Sequence, residues 1–423
     1  MEIAVAPIEE KTPAIFAAEK GESDCEDTGC SPITHQPWKP LDEIHYHPII
    51  LLFINQINIS DLEKAVASAF KQIPDVMKRF GIRNALGFLR HANDVLSWVP
   101  TEDLEAKNIY EVLILFTFVL NQPPLKDLQT PVHPSQVGKP LTWLSNWMVV
   151  YTQLIGLFMD TPDSLTEQSL RAFMDHPLLN MEEVEVPEGG WRTFNEFFAR
   201  RLKPGSRPLA GPDDDRTIVY PADCLLSKSL DEACIAQVDG QGLVHIKAIP
   251  WTIESLLQDC RYRDSFNGGV WMHAFLNTFN YHRQHAPVSG RVLEAKVIPG
   301  AVSLQASARG GVLGLTCEMD PDNYTAFQFL QARGCIVIEN PVVGKVAILP
   351  VGMTQVSSVR LRVKAGDVVE KGQEISYFQF GGSDIVCVFE RRAGLRLDDF
   401  VTSAEGSFSK VNSVLAIAPA PSE

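Results

Sequence analysis

The chain has 423 residues, 45% hydrophobic and 21% charged, which is enough for two domains with buried cores. Its 52 acidic against 37 basic residues give a formal charge of −15, a balance that disfavours nucleic acid and anionic membrane as non-specific partners. No spanning helix is predicted, because the longest apolar run, Val112 to Leu120, is far shorter than the roughly 20 residues such a helix needs.

The first residues, MEIAVAPIEEKTPAIF, carry acids where a secretory leader carries bases, so no signal peptide is expected and the predicted setting is cytoplasmic. The eight cysteines are scattered along the chain, as reduced cytosolic thiols are. Cys25 and Cys30 have no second pair nearby, and no metal is expected. Residues 1–45 mix Ala, Glu, Pro, Ser and Gly without a sustained period and read as a flexible acidic tail.

Residues 46–185 are predicted to form a helical N-terminal domain. Ser60-Asp-Leu-Glu63 and Ser164-Leu-Thr-Glu167 are capping-box signatures. Between them, Tyr110 to Leu120 and Trp143 to Met159 are apolar enough to be buried helices, with Pro-rich connectors such as Gln122-Pro-Pro124. After Val186-Pro-Glu-Gly-Gly190 a short amphipathic helix is predicted over Trp191 to Leu202, ended by Lys203-Pro-Gly-Ser-Arg-Pro208.

Beyond Ile218 the sequence turns β-rich, with runs such as GRVLEAKVI, GCIVIE and KVAILPVGM separated by Gly, Pro and Asp. Pro287-Val-Ser-Gly-Arg-Val292 and Ala365-Gly-Asp-Val-Val-Glu-Lys-Gly372 resemble the hairpins of barrel-sandwich folds such as lipoyl and biotinyl carriers. The fold class expected is therefore α+β, a helical N-terminal domain followed by a β-rich, barrel-sandwich-like domain over 186–423.

Four pieces carry polar chemistry: Tyr220-Pro-Ala-Asp223, Tyr281-His-Arg-Gln-His285-Ala-Pro287, Val351-Gly-Met-Thr354 and Phe380-Gly-Gly-Ser-Asp384. Singly each has a bland reading. Asp223 is a turn residue, His282 and His285 share one helix face as structural or metal-binding groups, and Gly-Gly-Ser is a turn.

Together and in order they resemble the phosphatidylserine decarboxylase family. Phe194-Asn-Glu-Phe-Phe198 with Arg201-Leu-Lys-Pro-Gly205 and Arg207-Pro208 resembles its entry helix, Phe266-Asn-Gly-Gly269 through Phe275-Leu276 its central segment, and Val369-Glu-Lys-Gly372 the approach to its Phe-Gly-Gly-Ser processing site. The resemblance implies self-cleavage between Gly382 and Ser383, leaving a large chain, 1–382, and a small chain, 383–423, that stay associated through strand pairing. It also implies a self-generated, covalent pyruvoyl group at Ser383. His285 takes the role of base, Asp223 orients it, and His282 serves the decarboxylation half-reaction.

The chemistry fits these residue types. Loss of CO2 leaves a carbanion that needs an electron sink. No lysine with a phosphate-binding signature points to pyridoxal phosphate, whereas a terminal ketone forms a Schiff base with a substrate amine. The Ser383 hydroxyl attacks the preceding carbonyl to give an ester, elimination leaves dehydroalanine, and hydrolysis gives pyruvoyl. Gly382 has no Cβ and lets the hydroxyl approach, and a histidine oriented by a carboxylate is a usual base. Two positions depart from the family: Cys224 stands where Gly is usual, and Asp384 where Thr or Ser is commoner. Asp384 either attracts a substrate ammonium or, as is ordinary for aspartate, faces solvent.

The helical N-terminal half and the run from Gly268 to Asn277 resemble the branch that includes the fungal tryptophan decarboxylase of the psilocybin pathway. That likeness implies a free L-amino acid as substrate, aromatic by preference, with Phe279 and Tyr281 as pocket residues or as core. The alternatives are phosphatidylserine, which alone would bring membrane contact, and a non-enzymatic barrel-sandwich module modified at Lys371.

Overall fold

The computed structural model describes residues 45–103, 108–227, 233–246, 249–316, 326–352, 358–380, 383–404 and 407–420, with Ser383 by its backbone alone. The predicted tail, Cys25, Cys30, Met353, Thr354, Gly381 and Gly382 lie outside the described residues.

Nine α-helices precede or interrupt the strands: α1 Pro48–Gln56, α2 Ile59–Gln72, α3 Pro74–Arg79, α4 Ala85–Val95, α5 Asn108–Leu120, α6 Trp143–Met159, α7 Glu167–Met174, α8 Phe194–Phe198 and α9 Ile253–Leu257, counted among the described residues. The predicted helices at 110–120 and 143–159 are α5 and α6. α5 is buried almost all round, while α6 leaves Val150 and Leu157 exposed.

The caps differ from expectation. α2 is capped by Asn58, whose side chain accepts from Ser60 N, and α7 by Thr166 in a reciprocal pair with Ser169. Ser60 lies inside α2 and Ser164 two residues before the α7 cap, so in each case the residue immediately preceding the helix satisfies its open N–H groups. The helix predicted over 191–202 shrinks to α8, because Arg201–Leu202 is drawn into a strand pair with Val184–Glu185.

The strands, in chain order, are β1 Val184–Glu185, β2 Arg201–Leu202, β3 Thr217–Val219, β4 Ile235–Gln237, β5 Leu243–Ile246, β6 Ile249–Thr252, β7 Val270–Leu276, β8 Arg283–His285 and β9 Gly290–Ile298. Then come β10 Ala306–Arg309, β11 Val312–Leu315, β12 Arg333–Asn340, β13 Gly344–Gly352, β14 Val359–Leu361, β15 Val368–Val369, β16 Glu374–Phe378, β17 Ser383–Phe389 and β18 Val414–Ile417. Seven form one antiparallel sheet in the order β15-β9-β12-β13-β17-β7-β4, and β14-β16-β8 form a second.

The fold is thus mixed α+β with several antiparallel sheets and no closed barrel among the described residues. The two hairpin segments compared with barrel-sandwich folds meet each other, Val368 opposite Arg291 and Val369 opposite Gly290.

The large sheet is buried on both faces, which accounts for its nearly continuous apolar strands. Ile385, Cys387, Phe389, Met272, Ala274 and Ile348 face one core. Val386, Val388, Trp271, Leu349, Val337 and Cys335 face the other, with Trp251 and Phe329. The first core runs on into the helical half through Phe88, Phe116, Trp147 and Tyr151. Polar contacts reinforce that seam, with Tyr110 Oη accepting from Leu315 N and Asn121 Nδ2 donating to Leu304 O.

Candidate active site

Two neighbouring strands leave the large sheet together and enter the small one. β7 runs through residues 277–282 into β8, and β16 ends at Phe378, five positions before β17 begins at Ser383. β7 pairs with β17 in one sheet, and β8 with β16 in the other. The motif residues cluster at this double crossover. Ser383 stands opposite Leu276 and Gly352, and Asp384 opposite Phe275 and Val351. Leu225 bridges to Phe275, and His285 N donates to Pro221 O at 2.8 Å. All four sequence pieces therefore converge, and Ser383 opens a strand flanked by β13 and β7.

His282 and His285 lie in extended chain at the start and end of the β8 segment, not on one helix face. Gly372 turns with φ +82°, a left-handed conformation that suits glycine, and its carbonyl accepts from His285 Nδ1 at 2.6 Å. Nε2 is then the acceptor nitrogen and takes the Tyr281 hydroxyl at 3.0 Å. Burial lowers the His285 pKa, against the raising influence of the Gly372 carbonyl and the charges of Glu374 and Asp223. The imidazole is held neutral, as a base requires.

His282 is fully buried and stacks on Phe198 at 4.0 Å between ring centroids. Neither ring nitrogen has a hydrogen-bond partner among the described residues. Burial, and then the charge of Arg200, push its pKa well below 6.5. Arg200 donates to the carbonyls of Phe279 (2.6 Å) and Asn280 (3.2 Å), fixing the turn that leads into His282.

Asp223 corrects the expected arrangement. Among the described residues no hydrogen bond joins it to His285. Arg207 takes its carboxylate in a bidentate grip, Nε at 3.0 Å and Nη2 at 2.6 Å, and Val411 N donates to it at 2.8 Å. Glu183 and Lys410 extend the ion chain beyond Arg207. A guanidinium fork matches a carboxylate better than one imidazole N–H, so His285 takes its orientation from Gly372. Cys224 pairs its backbone with Ser409 in extended geometry and needs no left-handed turn, so a side chain there causes no strain.

Asp384 is also corrected. It is 1% exposed, and its Oδ2 lies 2.9 Å from His273 Nε2. Sequence reasoning passed over His273, although a histidine inside the apolar run Val270 to Leu276 was a signal. Arg200 and Arg207 lay in or beside the quoted motifs without a role. Phe279 packs edge-on against Phe408.

A cleft of about 600 Å³ borders the crossover, lined among others by Trp191, Asn195, Arg200, Tyr377 and Gln379. Asn195 ties its wall to Phe380, whose N–H donates to its Oδ1 at 2.9 Å.

Comparison with known proteins finds relatives that share this part of the chain. The sequence pattern described as "Phosphatidylserine decarboxylase" matches residues 194–411. Phosphatidylserine decarboxylase proenzyme 2 of Oryza sativa subsp. japonica is 31% identical over 72% of this chain and 45% of its own length. Phosphatidylserine decarboxylase proenzyme 3 of Schizosaccharomyces pombe is 35% identical over 56% of this chain and 22% of its own. The chain thus spans less than half the length of these two relatives. Decarboxylase iboD of Amanita muscaria is 28% identical over 72% of this chain and 90% of its own length. With the family pattern running through the entry helix, the Pro-Ala-Asp segment, both histidines and Ser383, the chain belongs to the phosphatidylserine decarboxylase family.

Proposed function

We propose that this chain is a pyruvoyl-dependent decarboxylase that cuts itself between Gly382 and Ser383 and converts a free L-amino acid, preferably aromatic, to its amine and CO2. The observation that carries the proposal is that fully buried His282 and partly buried His285, both held neutral, lie on the segment that continues from β7, the strand paired with Ser383 at the start of β17. When formed, a pyruvoyl group supplies a ketone that draws off carbanion charge.

The residues present fit such a group. His285 Nε2 accepts the proton of the attacking hydroxyl. His282, unpartnered in the intact chain among the described residues, serves the decarboxylation half-reaction by passing to the carbanion a proton that it must first take up from solvent, since a neutral imidazole has no acidic proton of its own to give. Asp223 keeps the two product chains together through Val411 N, and by charge it supports the basicity of His285. In this reading 46–185 is a helical domain and 186–423 a barrel-sandwich-like catalytic domain in a cytoplasmic enzyme.

The match to decarboxylase iboD, which extends over 90% of that protein, supports decarboxylation without naming a substrate. The free amino acid rests on the likeness of residues 268–277 to the tryptophan decarboxylase branch. The second reading, phosphatidylserine as substrate, is favoured by the names of the rice and fission yeast relatives. No helix among the described residues is long and apolar enough to cross a membrane. The carrier reading loses support at Lys371, which is buried and donates to Asp214 O at 2.8 Å and Thr217 O at 3.0 Å.

The test is to measure CO2 release from tryptophan, tyrosine and phenylalanine, and separately from phosphatidylserine vesicles. Mass analysis of the denatured protein runs alongside. Release from vesicles alone overturns the amino acid reading, and an uncut chain overturns both decarboxylase readings.

A further inference from the structure

We infer that Asp384 docks the ammonium group of the incoming amine, an inference that rests on the pyruvoyl reading above. The carboxylate begins β17 directly after the position that would carry the ketone, and adjacent Cα atoms are about 3.8 Å apart. Its two oxygens are treated differently. Oδ2 is held by His273 Nε2 at 2.9 Å and lies 3.4 Å from Gln328 Nε2, itself 3.0 Å from His273 Nε2. Oδ1 has no hydrogen-bond partner among the described residues, although the side chain is 99% buried.

A buried carboxylate oxygen without a donor carries a desolvation cost with nothing to offset it. No lysine or arginine among the described residues pairs with it. The apolar core on this face of the sheet, with Trp271 and Phe329 stacked at 5.5 Å, supplies no donor to that oxygen. An amino acid amine arrives as a cation bearing N–H donors, which complements Oδ1 in both charge and hydrogen bonding. His273 and Gln328 act as positioning residues. They hold Oδ2 so that Oδ1 keeps its direction.

The inference separates docking from simple strand clamping through the charge of the arriving amine: a docked ammonium gives one proton to solvent, its lone pair then attacks the ketone carbon, and the ketone oxygen leaves as water. Purified, self-cleaved protein is incubated at neutral pH with ethylamine, a cation, or with methoxyamine, which is neutral. The ethylamine imine is fixed by borohydride, the methoxyamine oxime is stable without it, and the mass gain of the small fragment is followed in time. In Asp384→Asn and in Asp384→Thr, ethylamine capture should slow by at least about tenfold, with methoxyamine capture unchanged. Thr is common at this place in the family, so the second variant keeps the assay open if the first is not cut. Equal slowing of both reagents, or of neither, overturns the inference. Wild-type protein that stays uncut, or whose fragment captures no amine, overturns instead the pyruvoyl reading beneath it.

Discussion

The Tyr281 hydroxyl donates to His285 Nε2 at 3.0 Å, so the nitrogen assigned to take a proton from Ser383 is already engaged in the intact chain. A neutral hydrogen bond of this kind contributes about 1 kcal/mol net, which corresponds to about fivefold in rate if it must break first. Tyr281→Phe should therefore speed self-cleavage by about that factor, and His285→Ala should abolish it. The time course of fragment appearance on a denaturing gel decides. A slowing of about tenfold or more in Tyr281→Phe would make the hydroxyl a proton relay.

The direction of the His285 shift sets the pH profile. Burial holds its pKa below 6.5, so the neutral, proton-accepting form persists into mildly acid solution. The rate of self-cleavage should stay level as pH falls through 6.5 and drop only at lower values. An ordinary, exposed histidine gives half its maximal rate near 6.5. Cleavage rates in a buffer series check this, and a midpoint near 6.5 would falsify the buried-base assignment.

The grip of Arg207 on Asp223 is a further test, because both side chains are nearly buried. Removing one partner of such a pair leaves a charge without compensation, typically costing about 3–5 kcal/mol. Asp223→Ala should lower the stability of an uncleavable Ser383→Ala background by that order in urea denaturation. In the cleavable protein the small chain should separate more readily on gel filtration, since Val411 N also loses its acceptor. An unchanged denaturation midpoint would show that the pair carries no structural load.

These contrasts explain what the sequence made legible. Gly290–Ile298 and Trp143–Met159 appear as predicted because period and apolar content are local properties. The helix over 191–202 failed because pairing with Val184–Glu185, a non-local contact, captured Arg201 and Leu202. The site residues were legible as motifs, but their pairings were not. Arg207 lies 16 residues before Asp223, and no spacing rule links the two. Of the two readings open for Asp384, the habits of aspartate favour solvent, and the fold buries it instead. Its partner His273 lies diagonally across the β7–β17 register, which only the folded sheet reveals.

His91, on α4, gives an independent check on the helical half. It is fully buried without a carboxylate partner, and burial lowers its pKa to about 4. The folded form resists the proton that the unfolded chain accepts below 6.5. Above 6.5 the residue is pH-neutral for stability, and as pH falls from 6.5 towards 4 it removes ~3 kcal/mol. The difference in unfolding free energy between Ser383→Ala protein and its His91→Leu derivative should open over that window. Parallel curves would sink the assignment.

Asn195 connects the helical half to the scissile segment. Its Oδ1 accepts from Phe380 N at 2.9 Å, while its Nδ2 donates to Asp160 Oδ1 at 2.9 Å, at the end of α6. Phe380 is further held by edge contacts with Trp98, Phe194 and Phe198. Phe380, two residues before Gly382, is thus registered against helices contributed by the first half of the chain. Asn195→Ala leaves the Phe380 N–H buried without an acceptor, a loss of about 1–3 kcal/mol. It also frees the segment to shift, and a displacement of about 1 Å in reacting groups can cost on the order of 100-fold in rate. Self-cleavage of Asn195→Ala, followed well below its unfolding temperature, should slow by a factor of about 10 to 100. If stability falls while the cleavage rate holds, the helical half braces the fold without positioning the bond.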